Sequence, residues 1–485
     1  MISIDTLPDD ALLLIFDHYM NIVRLEGGFR QKAEDAWHSL VHVCRRWRCI
    51  VFESPRRLDL RLVCTGETPA RDGLDLWPAL PLIIWGEGEF STGSGDYVDN
   101  IVAALERADR VCQIHLENFL NSEMEIILAA MQRPYPELTH LGFWPSYQPV
   151  PDVPDSFLGG SVPRLEHLTL WRFPFPGLPK LLLSATHLRY LLIENIPHSG
   201  YFPPDAIVTA LSTLTSLDYL ELGFRSPPSF PDRASRCPPP STRSILPVLT
   251  TFEFGGVSGG VSEYLEDLVA GIDAPKLDRL GINFFNDTVF DTPQLIRFIS
   301  CAPKLKAPEK ANITIYHHVA SVKFSSRTYP SRDRGLEVKI WCNGLNWQLS
   351  SLVQVCTSCL PFLLLLENLY FYEDLRPDWK ENIDNELWVD LLRPFGAVKN
   401  LHLSKTVASR VAPALQELVE GRTTEVLPTV LPNLENIFVA GLESFGPVQE
   451  GIGQFVAARQ VAGHPTAFSN WTNYEEDRQG TPDSE

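Results

Sequence analysis

Few residues in this sequence have the types and spacing to do chemistry, and the most suggestive run is Gly256-Val257-Ser258-Gly259-Gly260. That is the spacing of a nucleophile elbow, where a sharp turn between strand and helix lifts a serine hydroxyl clear of the chain. It follows Phe252-Glu253-Phe254 and precedes Tyr264-Leu265-Glu266-Asp267-Leu268, so the order of strand, turn and helix fits. Acyl transfer also needs a base and an orienting acid. Asp287 with His317, or Asp390 with His402, could supply them, but no spacing singles out either pair. Glycine at a strand exit is equally what a repeat requires to turn into its return segment. Ser258 is therefore read as a turn residue, with a serine hydrolase kept as the remote alternative.

The other chemical candidates are incomplete. Cys356-Thr357-Ser358-Cys359 is a C-x-x-C without the second pair or histidine cluster that would close a zinc site. His317 and His318 are adjacent, so on a strand they point to opposite faces and cannot share a metal. Gly451-Ile452-Gly453 lacks the third glycine of a dinucleotide loop. The expectation is a non-catalytic protein with no catalytic residue, no metal and no cofactor.

The bulk properties point the same way. At 485 residues the chain exceeds the ~250 to 300 at which one core stops growing, which implies several domains or an extended repeat array. Its 41 basic against 60 acidic residues leave a net charge of -19, a field that repels nucleic-acid phosphates and anionic lipid alike. Nine scattered cysteines form no disulfide framework and suit a reducing compartment, cytoplasmic or nuclear. The first residues lack the basic start of a signal peptide. The richest apolar run, Leu360 to Phe371, is interrupted by Pro361, Glu367 and Asn368 and falls short of the ~20 residues of a membrane span.

Among the elements that would position any site, the N-terminal ones are the most specific. Thr6 caps a helix whose first turn holds Pro8, Asp9 and Asp10, placements that suit the missing amide and the helix dipole. Leu12, Ile15, Phe16 and Tyr19 then make one apolar stripe. After a polar break containing Gly27-Gly28, a second helix puts Leu40, Val43, Cys44 and Trp47 on one face, with Arg45, Arg46 and Arg48 off it.

Leu7-Pro8 leading into Leu12 to Phe16, and Leu40-Val41-His42-Val43-Cys44-Arg45-Arg46-Trp47, resemble the two ends of an F-box. The stretch Asn21 to Asp35 is longer than the usual connection in that family. The resemblance implies docking onto the Skp adaptor of a cullin-RING ubiquitin ligase, with Leu7, Pro8, Ile15, Phe16, Leu40, Val43 and Trp47 as the contact residues.

Beyond Asp109 an apolar-x-x-apolar-x-apolar frame recurs. It is clearest at Leu138-Leu141-Phe143, Leu165-Leu168-Leu170, Leu188-Leu191-Ile193, Leu217-Leu220-Leu222, Leu249-Phe252-Phe254 and Leu277-Leu280-Ile282. An early copy begins at Val111, and later ones at Leu366, Val398 and Leu434; Leu305 keeps only the opening residue. The period wanders around about 29 residues, the upper end of leucine-rich repeats, in which each unit supplies one strand and one helical return.

The expected fold is therefore α/β: a short all-helical module at 1–55, a linker and cap at 56–108, and a curved leucine-rich-repeat solenoid at 109–465. Its parallel strands would line a concave face, a proline-rich loop would interrupt it at 226–247, and an acidic tail at 466–485 would be disordered. Because side chains alternate along a strand, residues between and just after the frame positions point away from the core. The candidate substrate-binding set is Trp144, Trp171, Glu194, Glu221, Glu253, Asn283, Tyr370, Tyr372, His402 and Phe438.

The order of elements resembles fungal F-box and leucine-rich-repeat proteins, as does the stretch from Gly256-Val257-Ser258 to Asp273-Ala274-Pro275. The resemblance implies that the first module holds the ligase while the repeats hold an unknown protein substrate. A repeat scaffold outside any ligase is the alternative.

Overall fold

The described residues of the computed structural model are 7–26, 36–75, 79–88, 96–146, 151–154, 156–225, 243–256, 261–285, 292–305, 308–316, 318–325, 334–342, 344–358, 361–374, 384–420, 430–442 and 446–472. The chain divides into two units, Met1–Ile193 and Glu194–Glu485.

The first unit opens with three helices, α1 (Asp9–Glu26), α2 (Ala36–Val41) and α3 (Arg45–Glu53). The apolar stripe of α1 is corrected in part: Leu12 and Phe16 are buried, joined by Met20, with Trp37, Leu40 and Val41 of α2 and Ile50 and Val51 of α3, whereas Ile15 and Tyr19 of the expected stripe are exposed. The single helix expected through Leu40 to Trp47 is instead two. Cys44 is extended, with φ -160° and ψ 168°, and its sulfur accepts the Trp47 amide at 3.5 Å, so a new helix starts there. Arg46 ties that helix to the chain start through the Leu7 carbonyl at 2.6 Å and the Asp9 carboxylate. Thr6, the expected cap, and residues 27–35 of the long connection lie outside the described residues.

The strand and helix succession then runs β1 (Leu62–Cys64), α4 (Ala70–Gly73), β2 (Leu82–Glu87), α5 (Asp96–Leu105), β3 (Val111–Glu117), α6 (Asn121–Ala130), β4 (His140–Trp144), β5 (His167–Trp171), α7 (Leu178–Leu182) and β6 (Tyr190–Ile196). Strands β1 to β5 pair in parallel, each with the next. The parallel array thus starts at Leu62, not at 109. Leu62, Val63 and Cys64 are buried on both faces, so this strand shows no alternating frame to read.

The second unit continues with α8 (Pro204–Leu211), β7 (Tyr219–Phe224), β8 (Ser244–Ile245), β9 (Thr251–Gly256), α9 (Val261–Ala270), β10 (Ile272–Asp273), β11 (Arg279–Phe285) and α10 (Pro293–Cys301). Next come β12 (Lys310–Tyr316), β13 (Val319–Ser325), β14 (Gly335–Trp341), α11 (Leu345–Ser358), β15 (Asn368–Asp374), α12 (Asn385–Leu392) and β16 (Asn400–Leu403). It ends with α13 (Lys405–Glu420), β17 (Asn436–Val439), α14 (Pro447–Val461) and β18 (Ala467–Asn470). Frame residues bury against the helical returns, as Phe252 does against Phe298 of α10 and Phe371 against Trp388 of α12, with ring centroids 6.0 and 6.4 Å apart.

The parallel order breaks between 305 and 365. Strand β11 pairs in parallel with β14, β14 pairs antiparallel with β13, β13 antiparallel with β12, and β12 in parallel with β15. The expected all-parallel lining is therefore corrected here by a three-stranded meander that replaces strand-and-helix repeats. Strand β12 is buried at five successive positions from Ala311 to Ile315, which is why no frame marks it. Gly335 opens β14 at φ +115°, and a Cβ there would lie 2.0 Å from the Phe324 carbonyl oxygen.

Two further expectations are corrected. The proline-rich segment ends in structure, since β8 pairs with β10 and Arg243 donates to the carbonyls of Val269 and Ala270 and to Asp273. Its residues 226–242 lie outside the described residues. The tail begins as a strand: β18 pairs in parallel with β17, and Trp471 is buried with Tyr372 and Ala440. Residues 473–485 lie outside the described residues.

Candidate protein-binding surfaces

In the helical module, packing sorts the seven adaptor candidates into two groups. Phe16 and Leu40 are buried in the module's own core and Trp47 is half-buried, its ring centroid 4.7 Å from that of Phe16. Phe16 and Leu40 therefore shape the module from inside, while Trp47 keeps a partly open face as Leu7 does. Pro8 is exposed and Leu7 half-buried, while Ile15 and Val43 remain 44% and 58% exposed. Leu14 and Tyr19 are exposed beside them in sequence. Leu14 was not legible as a candidate because three leucines in a row, Leu12 to Leu14, hide which of them faces inward.

In the first unit, the strand face opposite the frame residues carries a cavity of about 370 Å³. Aromatic and imidazole rings from neighbouring strands line it. Trp85 stacks on His115 with centroids 3.8 Å apart, and Trp144 lies 4.5 Å beyond His115. A second ladder runs from His140 to His167 at 4.3 Å and on to Tyr190 at 5.9 Å. Parallel registry produces the second ladder, because His140 and His167 occupy equivalent positions on β4 and β5; in the first, Trp85 and His115 are in register, but His115 is opposite Gly142, and the Trp144 ring lies over that glycine. Of the sequence candidates only Trp144 lines this cavity. Trp171 stands apart with the Arg172 guanidinium 5.6 Å from its ring. His140, His167 and Tyr190 sit two residues after each frame opening, a position the alternation argument passed over.

In the second unit, a groove of about 270 Å³ brings together Glu194, Glu221, Glu253 and Asn283, with Trp341 of β14 as a further wall. Glu221 and Glu253 are opposed across β7 and β9. Glu221 accepts the Tyr219 hydroxyl, and Glu253 accepts Arg279 Nε. Burial raises both carboxyls above the ordinary carboxylate range; for Glu221 the neighbouring Glu194 adds to the rise, and for Glu253 the Arg279 guanidinium opposes it. The sequence indicated all four polar residues but not Trp341, which lies on the meander.

The last candidates form an aromatic ladder. Tyr370 stacks on His402 at 4.2 Å, and His402 on Phe438 at 4.6 Å. Trp471 packs edge-on to His402 at 5.0 Å and covers Tyr372, which is only 4% exposed and so is removed from the contact set. A hydrogen-bonded asparagine ladder runs beside it, Asn400 to Asn368 at 2.9 Å and Asn436 to Asn400 at 2.8 Å. The sequence signal for it is an asparagine two residues after each of the frame openings Leu366, Val398 and Leu434.

Of the residues weighed for catalysis, Ser258, Asp287, His317 and Cys359 lie outside the described residues. Asp390 pairs with Arg393 at 2.9 Å, Cys356 is buried, and Gly451-Ile452-Gly453 is part of α14. Among the described residues no three His, Cys, Asp or Glu are grouped to hold a metal ion, and no helix is long and apolar enough to cross a membrane.

No family model matches the sequence, and no curated protein matches it. Among solved structures the chain is similar to the leucine-rich-repeat-containing protein LegL7 from Legionella pneumophila, at 11% identity over 84% of this chain and 99% of that one, with a TM-score of 0.24. A score that low carries no argument, and the repeat reading rests on the recurring parallel strands and helical returns of this chain itself.

Proposed function

We propose that this chain is a substrate-recognition subunit of a cullin-RING ubiquitin ligase. In this reading the N-terminal helices dock the Skp adaptor, and the open strand faces of the array hold a protein substrate. The observation that carries it is the exposure of Pro8, Leu14, Ile15 and Val43 on a module whose own core is already filled by Phe16, Trp37 and Leu40. Apolar side chains left outside a satisfied core are the usual anchors of an interface. The chain would itself contribute no reacting group, and its effect on ubiquitin transfer would come from holding substrate lysines near a charged enzyme. Free cysteines at both exposed and buried positions suit the cytoplasmic or nuclear location this implies.

The test is co-purification of the full-length chain with the Skp adaptor and cullin. Ile15→Asp with Val43→Asp is expected to abolish adaptor recovery. Leu7→Ala with Pro8→Ala should weaken it, since such anchors contribute on the order of 2 kcal/mol each. Adaptor without cullin would replace the ligase reading by a scaffold, and unchanged recovery from the Asp variant would remove the docking assignment.

A further inference from the structure

The groove on the second unit's strand face is small and one-signed. Its volume, about 270 Å³, is below the ~300 Å³ at which drug-sized pockets begin, so it suits a single long side chain. Glu194, Glu221 and Glu253 line it, and no lysine, arginine or histidine does so among the described residues. Asn195 and Asn283 add neutral polar groups, and Trp341, 41% exposed, supplies an indole.

The same strand face already shows what these carboxylates hold. Arg279 of β11 places its Nε on Glu253 Oε1. That contact depends on Gly281, where a Cβ would lie 1.6 Å from Glu253 Oε2. Glu221 sits one strand further along the same row, in register with Glu253, and its bonded neighbour there is the neutral Tyr219 hydroxyl. A second guanidinium beside Glu221 would repeat the Arg279 arrangement. Its planar fork of donors would meet the Glu221 carboxylate in bidentate fashion, a demand that a lysine ammonium meets less well.

We infer that this groove is the pocket for an arginine side chain of an extended peptide segment in the bound protein. The inference rests on reading the open strand face as the substrate surface and not on the ligase assignment. The peptide backbone lies over the strands, and the arginine enters beside Glu221. Charge complementarity selects the sign of the residue, and bidentate pairing with the carboxylate selects guanidinium over ammonium.

The test is selection of phage-displayed degenerate nonapeptides on the immobilised full-length chain, followed by sequencing of the bound pool. Arginine should be enriched at least tenfold at one position over the unselected library. That enrichment should vanish on a Glu194→Gln, Glu221→Gln variant whose circular dichroism and unfolding midpoint show it to be folded. Absence of arginine enrichment, its survival in the double Gln variant, or equal enrichment of lysine would overturn the proposal. Adaptor co-purification, run on the same preparations, separates the two readings, because loss of arginine selection with the adaptor retained refutes this pocket alone.

Discussion

Glu221 lies where its charge is costly, half-buried beside Glu194, and the Tyr219 hydroxyl and the Arg279 guanidinium oppose the resulting rise without cancelling it. Its folded-state pKa is above the unfolded carboxylate value of about 4.3, so between the two the native state binds more protons than the unfolded chain. Stability is therefore fully present below the unfolded value, falls as pH rises through the folded value, and stays lower above it. Glu221→Gln removes that penalty. Its melting temperature should exceed that of the unmodified chain at pH 7.5 and converge with it near pH 4, as measured by differential scanning calorimetry. Arg459 makes the opposite case, a buried charge that the fold needs. It donates to the carbonyls of Val430 at 3.5 Å, Pro432 at 3.3 Å and Leu434 at 3.3 Å, and to the Thr466 hydroxyl at 2.9 Å. Arg459→Met takes the donor from the Val430 and Pro432 carbonyls, while Leu434 keeps the Thr466 hydroxyl, and should cost about 3 kcal/mol in urea unfolding.

The elements differ in how firmly local sequence specifies them. Strands β3 to β7 follow from alternation alone, because each has one face against helices and one open. The meander of β12, β13 and β14 does not. Strands β12 and β13 are buried on both faces over much of their length, β14 alternates, and their order beside β11 is set by pairing across the sheet rather than by succession along the chain. It also carries Trp341 to the acidic groove, so the least legible element completes the candidate site. Gly335 is the joint on which the meander turns. Gly335→Ala should destabilise the protein by about 2 kcal/mol, through strain at positive φ and the clash with Phe324. Limited proteolysis should then cut first within β12 to β14.

For the molecule as a whole, the proposed docking and recognition roles fall on surfaces of different chemistry. A net charge of -19 sets a field that favours basic partners and disfavours phosphate backbones, in keeping with an acidic groove for arginine. Exposed apolar residues of the helical module and polar and aromatic rows of the array offer two chemistries for two kinds of partner. The docking variants and the groove variants are accordingly expected to act independently, each removing one binding activity and sparing the other.

By itself the sequence determined that a helix opens with Asp9 and Asp10 in its first turn, that Leu12 and Phe16 face inward from it, and that strands repeat from Val111 to Ile282, because local spacing decides which side of an element meets water. It also indicated Glu194, Glu221, Glu253 and Asn283 as facing away from the core. Only the tertiary structure decided that Phe16 and Leu40 are internal, that Trp471 covers Tyr372, that the array begins at Leu62, and that Trp341 joins the three glutamates. Those outcomes depend on which strand lies beside which, and contacts between residues so far apart in the chain leave no periodic trace in it.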